Sequence, residues 1–226
     1  MKAEYIDHMG DDLRVVNAAR VSFNKESFWE EGFAGEILPT NDWKLIKYLA
    51  SHNHWTPFSH VQITMRETVP IFVARQRFKH TVGFTYNEVS RRYVDDPPEF
   101  YIPDVWRSRP EGSVKQGSGE GEIIRFISDS LDEEDTIRFQ YSSFLDDALI
   151  LYEKMIETGV APEQARMVLP QSMFTSYYVT GSLAAWARAY KLRIDSHAQK
   201  EIQDLAKQWN TVIYPLFPVS WGALTE

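Results

Sequence analysis

The 226-residue chain contains no cysteine, which excludes disulfide bonds, thiolate metal ligands and any mechanism that needs a cysteine nucleophile. It also lacks an apolar run of the roughly 20 residues that cross a bilayer, so we expect no membrane-spanning segment. Its first residues, Met-Lys-Ala-Glu-Tyr-Ile-Asp-His, do not form the apolar stretch of a secretory signal. Together these absences predict a cytoplasmic protein.

Positive charge is scarce over the whole chain. There are 24 lysines and arginines against 32 acidic residues, which gives a formal net charge of -8. Binding to long double-stranded nucleic acid depends on a broad excess of cations, so we expect no nucleic acid partner. Hydrophobic residues make up 43% of the chain, which is enough for a globular core, and the length favours a single domain over residues 1–226.

Several common signatures of catalytic sites are also missing. There is no glycine-rich phosphate loop of the Walker type and no Gly-x-Ser-x-Gly elbow. The histidines at 52, 54 and 60 lack the compact spacing and the nearby carboxylate of a metal site, so we expect no bound metal. Ser90 has no general base beside it in the sequence, and a hydrogen bond to phosphate suits it better than a role as nucleophile.

The cations that are present are concentrated in one segment. Residues 75–93 contain a single acid, Glu88, together with His80 and five cationic side chains: Arg75, Arg77, Lys79, Arg91 and Arg92. Close cations repel each other, whereas a phosphate between them turns the same charges into charge-assisted hydrogen bonds. The segment therefore predicts a site for a small phosphorylated ligand. Arg166 and Arg193 are further candidates, although each alone is more simply a solvated arginine on an amphipathic helix.

The spacing of apolar residues predicts the elements around this segment. A helix is expected over 42–52 and a strand over 59–68. Pro70 suits the first turn of a helix that continues through His80 and ends by Gly83, which would place Arg75, Lys79 and His80 on or near one helix. Residues 87–93 would then form a loop that runs into an extended segment.

The second half of the chain is predicted to be largely helical. Residues 94–125 are rich in proline, glycine and serine and indicate a long surface excursion. Helices are expected over 135–158, 162–168, 179–190 and 196–213, with Asp195 as the N-cap of the last one.

Several short motifs follow one another along the chain. Lys79-His80-Thr81 is followed by an eight-residue gap to Ser90, with Asn87-Glu88 inside the gap and Arg92-Tyr93 after the serine. Further landmarks cover residues 17–22, 54–60, 70–76, 100–103, 165–170 and 192–202. In this order the motifs resemble the flavin-dependent thymidylate synthases, a family that carries Arg-His-Arg, a gap of seven or eight residues to a serine, Asn-Glu inside the gap and Arg-Tyr just after the serine.

The resemblance implies both a fold and a reaction. The fold is an α+β arrangement with a central, mostly antiparallel sheet flanked by helices, assembled as a homotetramer with shared active sites. The reaction transfers a one-carbon unit from 5,10-methylenetetrahydrofolate to C5 of dUMP, with FAD as cofactor and NADPH as reductant, and gives dTMP. It needs no cysteine nucleophile, which is compatible with this composition.

The resemblance also implies roles for individual residues. Arg193, beside the pyrimidine carbonyl, and Ser90 would be catalytic, and Glu88 would accept from the deoxyribose hydroxyl. The residues expected to bind dUMP are Gln76, Glu88, Ser90, Arg91, Arg92, Arg166 and Arg193. Those expected to bind FAD are Ser22, His54, Thr56, Lys79, His80, Thr81, Glu88, Ser182, Arg188 and His197.

One departure from the family pattern leaves alternatives open. Lys79 and Thr81 stand where the family has two arginines, so one cation is lost and a planar fork becomes a point charge. Arg77 could replace the lost cation in part, and Arg188 is a second candidate. A modified reaction, such as hydroxymethylation of a pyrimidine nucleotide, and a nucleotide-binding protein without flavin are the competing interpretations.

Overall fold

The computed structural model describes residues 1–33, 35–94, 96–110, 117–126 and 132–226. The strands are β1 (Lys2–Met9), β2 (Glu30–Gly32), β3 (Gly35–Ile37), β4 (Gln62–Pro70), β5 (Phe84–Glu88) and β6 (Phe174–Ser182). The helices are α1 (Asp12–Arg20), α2 (Thr40–Ser51), α3 (Ile71–Arg77), α4 (Ile137–Glu157), α5 (Pro162–Ala165), α6 (Leu183–Ile194), α7 (Lys200–Ile213) and α8 (Pro218–Thr225). No described helix is both long and apolar enough to cross a membrane.

Four strands form the main sheet, in the order β1-β4-β6-β5. Between β4 and β6, the hydroxyl of Thr64 meets that of Thr180 at 2.9 Å, and Thr68 meets Ser176 at 3.1 Å. Residue numbers on β6 fall from 180 to 176 as those on β4 rise from 64 to 68, so the two strands are antiparallel. The predicted α+β class with an antiparallel sheet is confirmed.

The chain comprises two compact units. The first consists of Met1, Thr68–Arg77 and Glu88–Ser176, and the second consists of Lys2–Glu67, Phe78–Asn87 and Tyr177–Glu226. The single domain expected over 1–226 stays a prediction.

The core of the second unit is built on tryptophans. The rings of Trp186 and Trp209 lie edge to face with centroids 5.5 Å apart, and both side chains are fully buried. The indole N–H of Trp186 donates to the carbonyl of Ile63 at 3.2 Å, which ties α6 to β4. Trp221 on α8 donates to Asn210 on α7 at 2.7 Å. Buried aromatic rings, with the N–H groups of Trp186 and Trp221 hydrogen-bonded, therefore fix α6, α7 and α8 in this unit.

The first unit is held by α4 and by one aromatic row. Leu145, Ala148 and Tyr152 form the buried face of α4. The ring of Tyr101 contacts Phe72 at 5.8 Å and Phe174 at 6.2 Å, measured between centroids. This unit contains the described part of the predicted 94–125 excursion, whose residues 95 and 111–116 lie outside the described ranges.

Two predicted helices are confirmed with shifted ends. The helix predicted over 42–52 is α2, and the one predicted over 135–158 is α4. Thr136 caps α4 by accepting from the N–H of Phe139 at 3.2 Å. Gly159, with a φ of +88°, ends it, because only glycine adopts that conformation at little cost.

The helix predicted from Pro70 through His80 is shorter than expected. Pro70 is the last residue of β4, and α3 ends at Arg77, so Lys79 and His80 lie beyond the helix. The ring of Phe78 packs edge to face against Tyr177 at 4.8 Å and against Tyr86 at 5.1 Å. This packing draws the chain out of the helical path. A strand, β5, comes next and the turn at 90–93 follows it, which reverses the predicted order.

Two further predictions are wrong at their starts. The helix expected over 179–190 begins only at Leu183, because residues 174–182 form β6, with alternate side chains buried. The helix expected from 196 begins at Lys200. Asp195 does not cap it, because its carboxylate accepts from the backbone N–H of His197 at 2.8 Å.

Asp12 is a buried carboxyl that ties the start of α1 to the start of α8. One oxygen accepts from the N–H of Val219 at 2.9 Å and the other from the N–H of Ser220 at 2.8 Å. The first N–H groups of a helix have no acceptor inside the helix, and the carboxyl of Asp12 is the acceptor for two of them at the start of α8. Burial, the largest cause, raises the pKa of Asp12 above its ordinary value.

Asp12→Ala is expected to lower the free energy of unfolding by about 1–3 kcal/mol, because the buried N–H of Ser220 and the half-buried N–H of Val219 lose their acceptor. Urea denaturation measures the effect. Asp7→Ala is the control, since Asp7 is exposed and accepts from the N–H of His8 at 2.7 Å. A loss no larger than that of the control would contradict the capping role.

The raised pKa of Asp12 also sets the sign of a pH dependence. The folded state holds this proton more tightly than the unfolded chain does. The resulting stability is fully present at low pH and is lost as the pH rises from the ordinary carboxyl pKa through the raised one. The stability of the wild type relative to Asp12→Asn should therefore fall over that window.

Candidate active site

The predicted phosphate segment ends in a tight turn of the first unit. The hydroxyl oxygen of Ser90 accepts from the backbone N–H of Arg92 at 3.4 Å and from its Nε–H at 3.3 Å, and the N–H of Tyr93 donates to the carbonyl of Ser90 at 3.0 Å. The guanidinium of Arg92 lies 5.0 Å from the centroid of the Tyr93 ring. A hydroxyl and a cation in one turn suit an anion. Because the partner of Ser90 is a cation, it cannot accept the proton of a serine nucleophile.

Glu88, at the end of β5, is held by a residue that the sequence did not indicate. The hydroxyl of Thr175 on β6 donates to Oε1 of Glu88 at 2.7 Å. The N–H of Val89 donates to the carbonyl of Ser176 at 2.9 Å, which fixes the register beside it. The carboxylate thus has one oxygen oriented by the protein and a second that can accept from a ligand hydroxyl.

The other predicted nucleotide residues of the first unit lie on separate elements. Gln76 is half-buried on α3, and Arg91 donates through Nη1 to the carbonyl of Asp96. Arg166 is exposed on the short 3₁₀ turn after α5, where its Nε donates to the carbonyl of Glu163 at 3.3 Å. Within the described ranges no hydrogen bond joins Arg166 to the turn at 90–93.

In the second unit, the structure brings Arg193 and His80 together. Nε of Arg193, at the end of α6, lies 2.8 Å from Nε2 of His80. Arginine is always protonated and has no acceptor, so it donates, and Nε2 of His80 carries the lone pair. The imidazole is therefore the neutral tautomer with its proton on Nδ1. A guanidinium held in one orientation can stabilise negative charge on a ligand.

The turn between His80 and β5 rests on the start of α6. Gly83 has a φ of +80°, and a Cβ there would approach that of Ala185 to 2.9 Å. Ser182 caps α6 by accepting from the N–H of Ala185 at 3.2 Å. Nη2 of Arg188 donates to the carbonyl of Val82 at 2.7 Å. The guanidinium of Arg188 thus lies against the residue that follows Thr81.

Lys79, His80 and Thr81 therefore differ in exposure and setting. Lys79 and Thr81 are exposed, and His80 is half-buried. Arg77 has no exposed surface, so the hypothesis that it offers a replacement cation to a ligand is wrong. Arg188 is exposed and stays a candidate.

A cavity of about 860 Å³ lies beside three predicted flavin residues of the second unit. Ser22, His54 and Thr56 all line it, together with Trp55 and Arg20. Arg20 donates to the buried carboxylate of Asp42 through Nε at 2.9 Å and also through Nη2. A cavity of this size with planar side chains in its wall can hold a planar ligand.

A second cavity, of about 280 Å³, shares part of that wall. His54 and Trp55 line both cavities, and Arg188, Phe58 and Ala187 line the second. The structure thus brings together His54 and Arg188, which are 134 positions apart in the chain (188 − 54 = 134). The chemistry of these walls fits FAD, since aromatic and aliphatic surface is available for its rings and guanidinium groups for its phosphates.

His197 lies apart from these contacts, on an exposed turn. Its Nδ1 is 2.9 Å from the carboxylate of Asp195. The backbone N–H of His197, and then its ring, lower the pKa of Asp195 below its usual value. No group of three or more histidine or acidic side chains is arranged to hold a metal ion in the part of the chain that the structure describes.

Sequence reasoning missed three residues of the site: Thr175, Tyr86 and Arg20. The hydroxyl of Tyr86 donates to the carbonyl of His80 at 2.7 Å. The alternation of Phe84 and Tyr86 just before Asn87 is a strand signal that could have indicated it. Thr175 had no comparable signal, because its role depends on the pairing of β5 with β6.

Comparison with known proteins identifies the family of this chain. The sequence profile of the family described as thymidylate synthase complementing protein matches residues 4–219. A flavin-dependent thymidylate synthase of Thermosipho melanesiensis is 40% identical over 201 residues, which cover 89% of this chain and 80% of that protein. One from Thermus thermophilus is 35% identical over 221 residues, with 98% and 74% covered.

Solved structures with a similar fold are also found. The UMP/dUMP methylase PolB from Streptomyces cacaoi, bound with 5-Br dUMP, superimposes with a TM-score of 0.78 at 30% identity and covers 99% of this chain and 94% of its own. Its structure with 5-Br UMP gives a TM-score of 0.79. The chain belongs to the flavin-dependent thymidylate synthase family.

Proposed function

We propose that this chain transfers a one-carbon unit from 5,10-methylenetetrahydrofolate to C5 of dUMP and yields dTMP. Family membership supports the reaction, and the absence of cysteine excludes the route that needs an enzyme thiolate at C6 of uracil. The observation that carries the proposal is the Arg193 guanidinium held by His80 at 2.8 Å. A fixed cation beside the pyrimidine carbonyl would stabilise the negative charge that develops as C5 becomes nucleophilic.

The dUMP residues divide the work of binding. Ser90, Arg91, Arg92, Gln76 and Arg166 would bind the phosphate, with the Ser90–Arg92 turn supplying a hydroxyl and a guanidinium. Glu88 would accept from the deoxyribose hydroxyl, because Thr175 already orients its other oxygen. These contacts would stabilise the bound substrate and the transition state equally. They would therefore set the affinity for the nucleotide and not the rate of the chemical step.

The flavin residues would bind FAD mainly through the second unit. Ser22, His54 and Thr56 line the larger cavity and Arg188 lines the smaller one. Lys79, His80 and Thr81 precede β5, Glu88 ends β5, Ser182 ends β6, and His197 lies on the exposed turn after α6. When bound, FAD supplies the reducing equivalents that convert the transferred unit to a methyl group, and NADPH restores them.

The product test separates this function from its competitors. Purified protein is incubated with FAD, NADPH, methylenetetrahydrofolate and either dUMP or UMP, and the nucleotide is identified by mass spectrometry. We expect dTMP from dUMP. A hydroxymethylated nucleotide would replace the proposed reaction by the modified one. Protein that stays colourless after incubation with FAD and forms no product would indicate a nucleotide-binding protein without flavin.

Arg188→Ala tests whether this residue supplies the cation missing at Thr81. We expect FAD affinity to fall about 10- to 100-fold, the range for loss of a charge-assisted hydrogen bond. Bound flavin is measured by absorbance after equilibration. Lys207→Ala is the matched control, because Lys207 is an exposed cation of the same unit that pairs with Asp204. Unchanged flavin content and turnover in Arg188→Ala would refute the compensation.

We also propose a homotetramer in the cytoplasm. The second unit exposes Phe23, Phe28 and Phe33 with relative accessibilities of 77%, 70% and 111%. These exposed aromatic side chains are the candidates for contact with a second copy of the chain, which is the partner that the family implies. Sedimentation equilibrium measures the assembly mass, and a monomer that retains full turnover would contradict shared active sites.

A further inference from the structure

Tyr86 is a residue to which neither the family motifs nor the cavities assign a role. It lies on β5, and its hydroxyl donates to the backbone carbonyl of His80 at 2.7 Å. This bond closes the turn that runs from His80 through Gly83 to the strand. His80 is therefore held at two points, by Tyr86 at its main chain and by Arg193 at its ring.

The ring of Tyr86 is itself held by an aromatic cluster of the second unit. Its centroid lies 5.1 Å from that of Phe78, 6.0 Å from that of Phe84 and 6.0 Å from that of Tyr177. Edge-to-face and tilted contacts of this kind leave an aromatic ring little freedom to move. The hydroxyl of Tyr86 therefore stays directed at one carbonyl.

A buried acid anchors the far side of this cluster. The hydroxyl of Tyr177 donates to Oε2 of Glu67 at 2.5 Å, and Glu67 has no exposed surface. Short hydrogen bonds to a carboxylate are strong, and a buried polar group that is well paired fixes one arrangement of its surroundings. The contacts thus run without interruption from Glu67 through Tyr177 and Tyr86 to His80 and Arg193.

We propose that Tyr86 is a positioning residue for the His80–Arg193 pair, and so for polarisation of the pyrimidine carbonyl. The proposal rests on the proposed function for its catalytic consequence but not for its geometry. Without the Tyr86 hydroxyl, the His80 main chain would move, and the Arg193–His80 bond would lose its alignment. Misplacement of a catalytic group by about 1 Å can cost about 100-fold in rate.

Tyr86→Phe tests the proposal, because it removes the hydroxyl and keeps the ring in its cluster. When Tyr86→Phe is made in the otherwise wild-type protein, we expect turnover of dUMP to fall about 10- to 100-fold. In an Arg193→Ala background the same change should alter turnover within about twofold, since the group that Tyr86 positions is already gone. Tyr190→Phe is the matched control, because Tyr190 lies on α6 and its ring packs on Trp221.

Nitrogen-15 NMR of the histidine rings provides a readout that needs no turnover. In the wild type, Nδ1 of His80 should give the signal of a protonated nitrogen and Nε2 that of an acceptor. Tyr86→Phe should shift the ring towards a mixture of tautomers, and Tyr190→Phe should not. The His80 signals are assigned by their loss in His80→Gln.

The outcomes separate positioning from general stability. Equal effects of Tyr86→Phe in the two backgrounds, with unchanged His80 signals, would overturn the proposal and leave Tyr86 a structural residue. A wild type that forms no dTMP would remove the proposed function, while the NMR comparison would still decide whether Tyr86 positions His80.

Discussion

Arg193→Ala is expected to lower turnover of dUMP about 100- to 1,000-fold while the protein still binds flavin. This is the range observed when one donor that stabilises a developing oxyanion is removed. The loss should lie mainly in kcat, because the cation is needed most when charge develops on the pyrimidine in the transition state. Steady-state kinetics with varied dUMP, combined with the flavin absorbance of the same sample, measures both effects.

Two comparisons make the Arg193 result specific. Lys207→Ala removes an exposed cation of the same unit and should leave kcat unchanged. Arg193→Lys keeps the charge but loses the planar fork that His80 orients, so it should recover only part of the rate. If Arg193→Ala raised the KM for dUMP with kcat unchanged, Arg193 would be a binding residue and not a catalytic one.

Arg166→Ala is expected to weaken dUMP binding by about 10- to 100-fold, the effect of losing one charge-assisted hydrogen bond to phosphate. Arg166 is exposed, and its only described hydrogen bond is that from Nε to the carbonyl of Glu163. Its removal should therefore cost little stability. Calorimetric titration with dUMP measures the affinity, and kcat at saturating dUMP should change little because phosphate binding is uniform through the reaction.

Deoxyuridine provides the decisive control for Arg166, because it lacks the phosphate. Its weak binding should be the same in the wild type and in Arg166→Ala. Arg138→Ala is the matched variant, since Arg138 is an exposed arginine on α4 of the same unit. An equal loss of affinity for dUMP and deoxyuridine would show that Arg166 supports the structure of the site and does not bind phosphate.

Local sequence patterns predicted those elements whose formation depends on neighbours in the chain. The helix α4 was predicted because its apolar residues recur at helical spacing and Gly159 follows them. The strand β6 was missed at Phe174–Ser182, although its burial alternates with a period of two. The helix was expected to begin at 179, so Thr180, Gly181 and Ser182, which end the strand and lead to the cap of α6, were placed inside it.

The segment 75–93 shows where local reasoning failed. Its charges predicted an anion site, but a continuous helix through His80 was wrong because Phe78 packs into the aromatic cluster with Tyr86 and Tyr177. No local pattern contains that information, since Tyr177 lies about a hundred residues further along (177 − 78 = 99). Tertiary packing therefore overrode helix propensity at this point.

The sequence by itself determined the family and the chemistry that its composition allows. The motif order and the absence of cysteine need no structure to be read, because residue identity alone decides which groups can donate, accept or attack. Only the tertiary structure decided that His80 accepts from Arg193, that Thr175 orients Glu88 and that Arg188 lies against Val82. These pairs are separated by 87 to 113 residues, and strand pairing and helix packing alone bring such distant positions within hydrogen-bond distance.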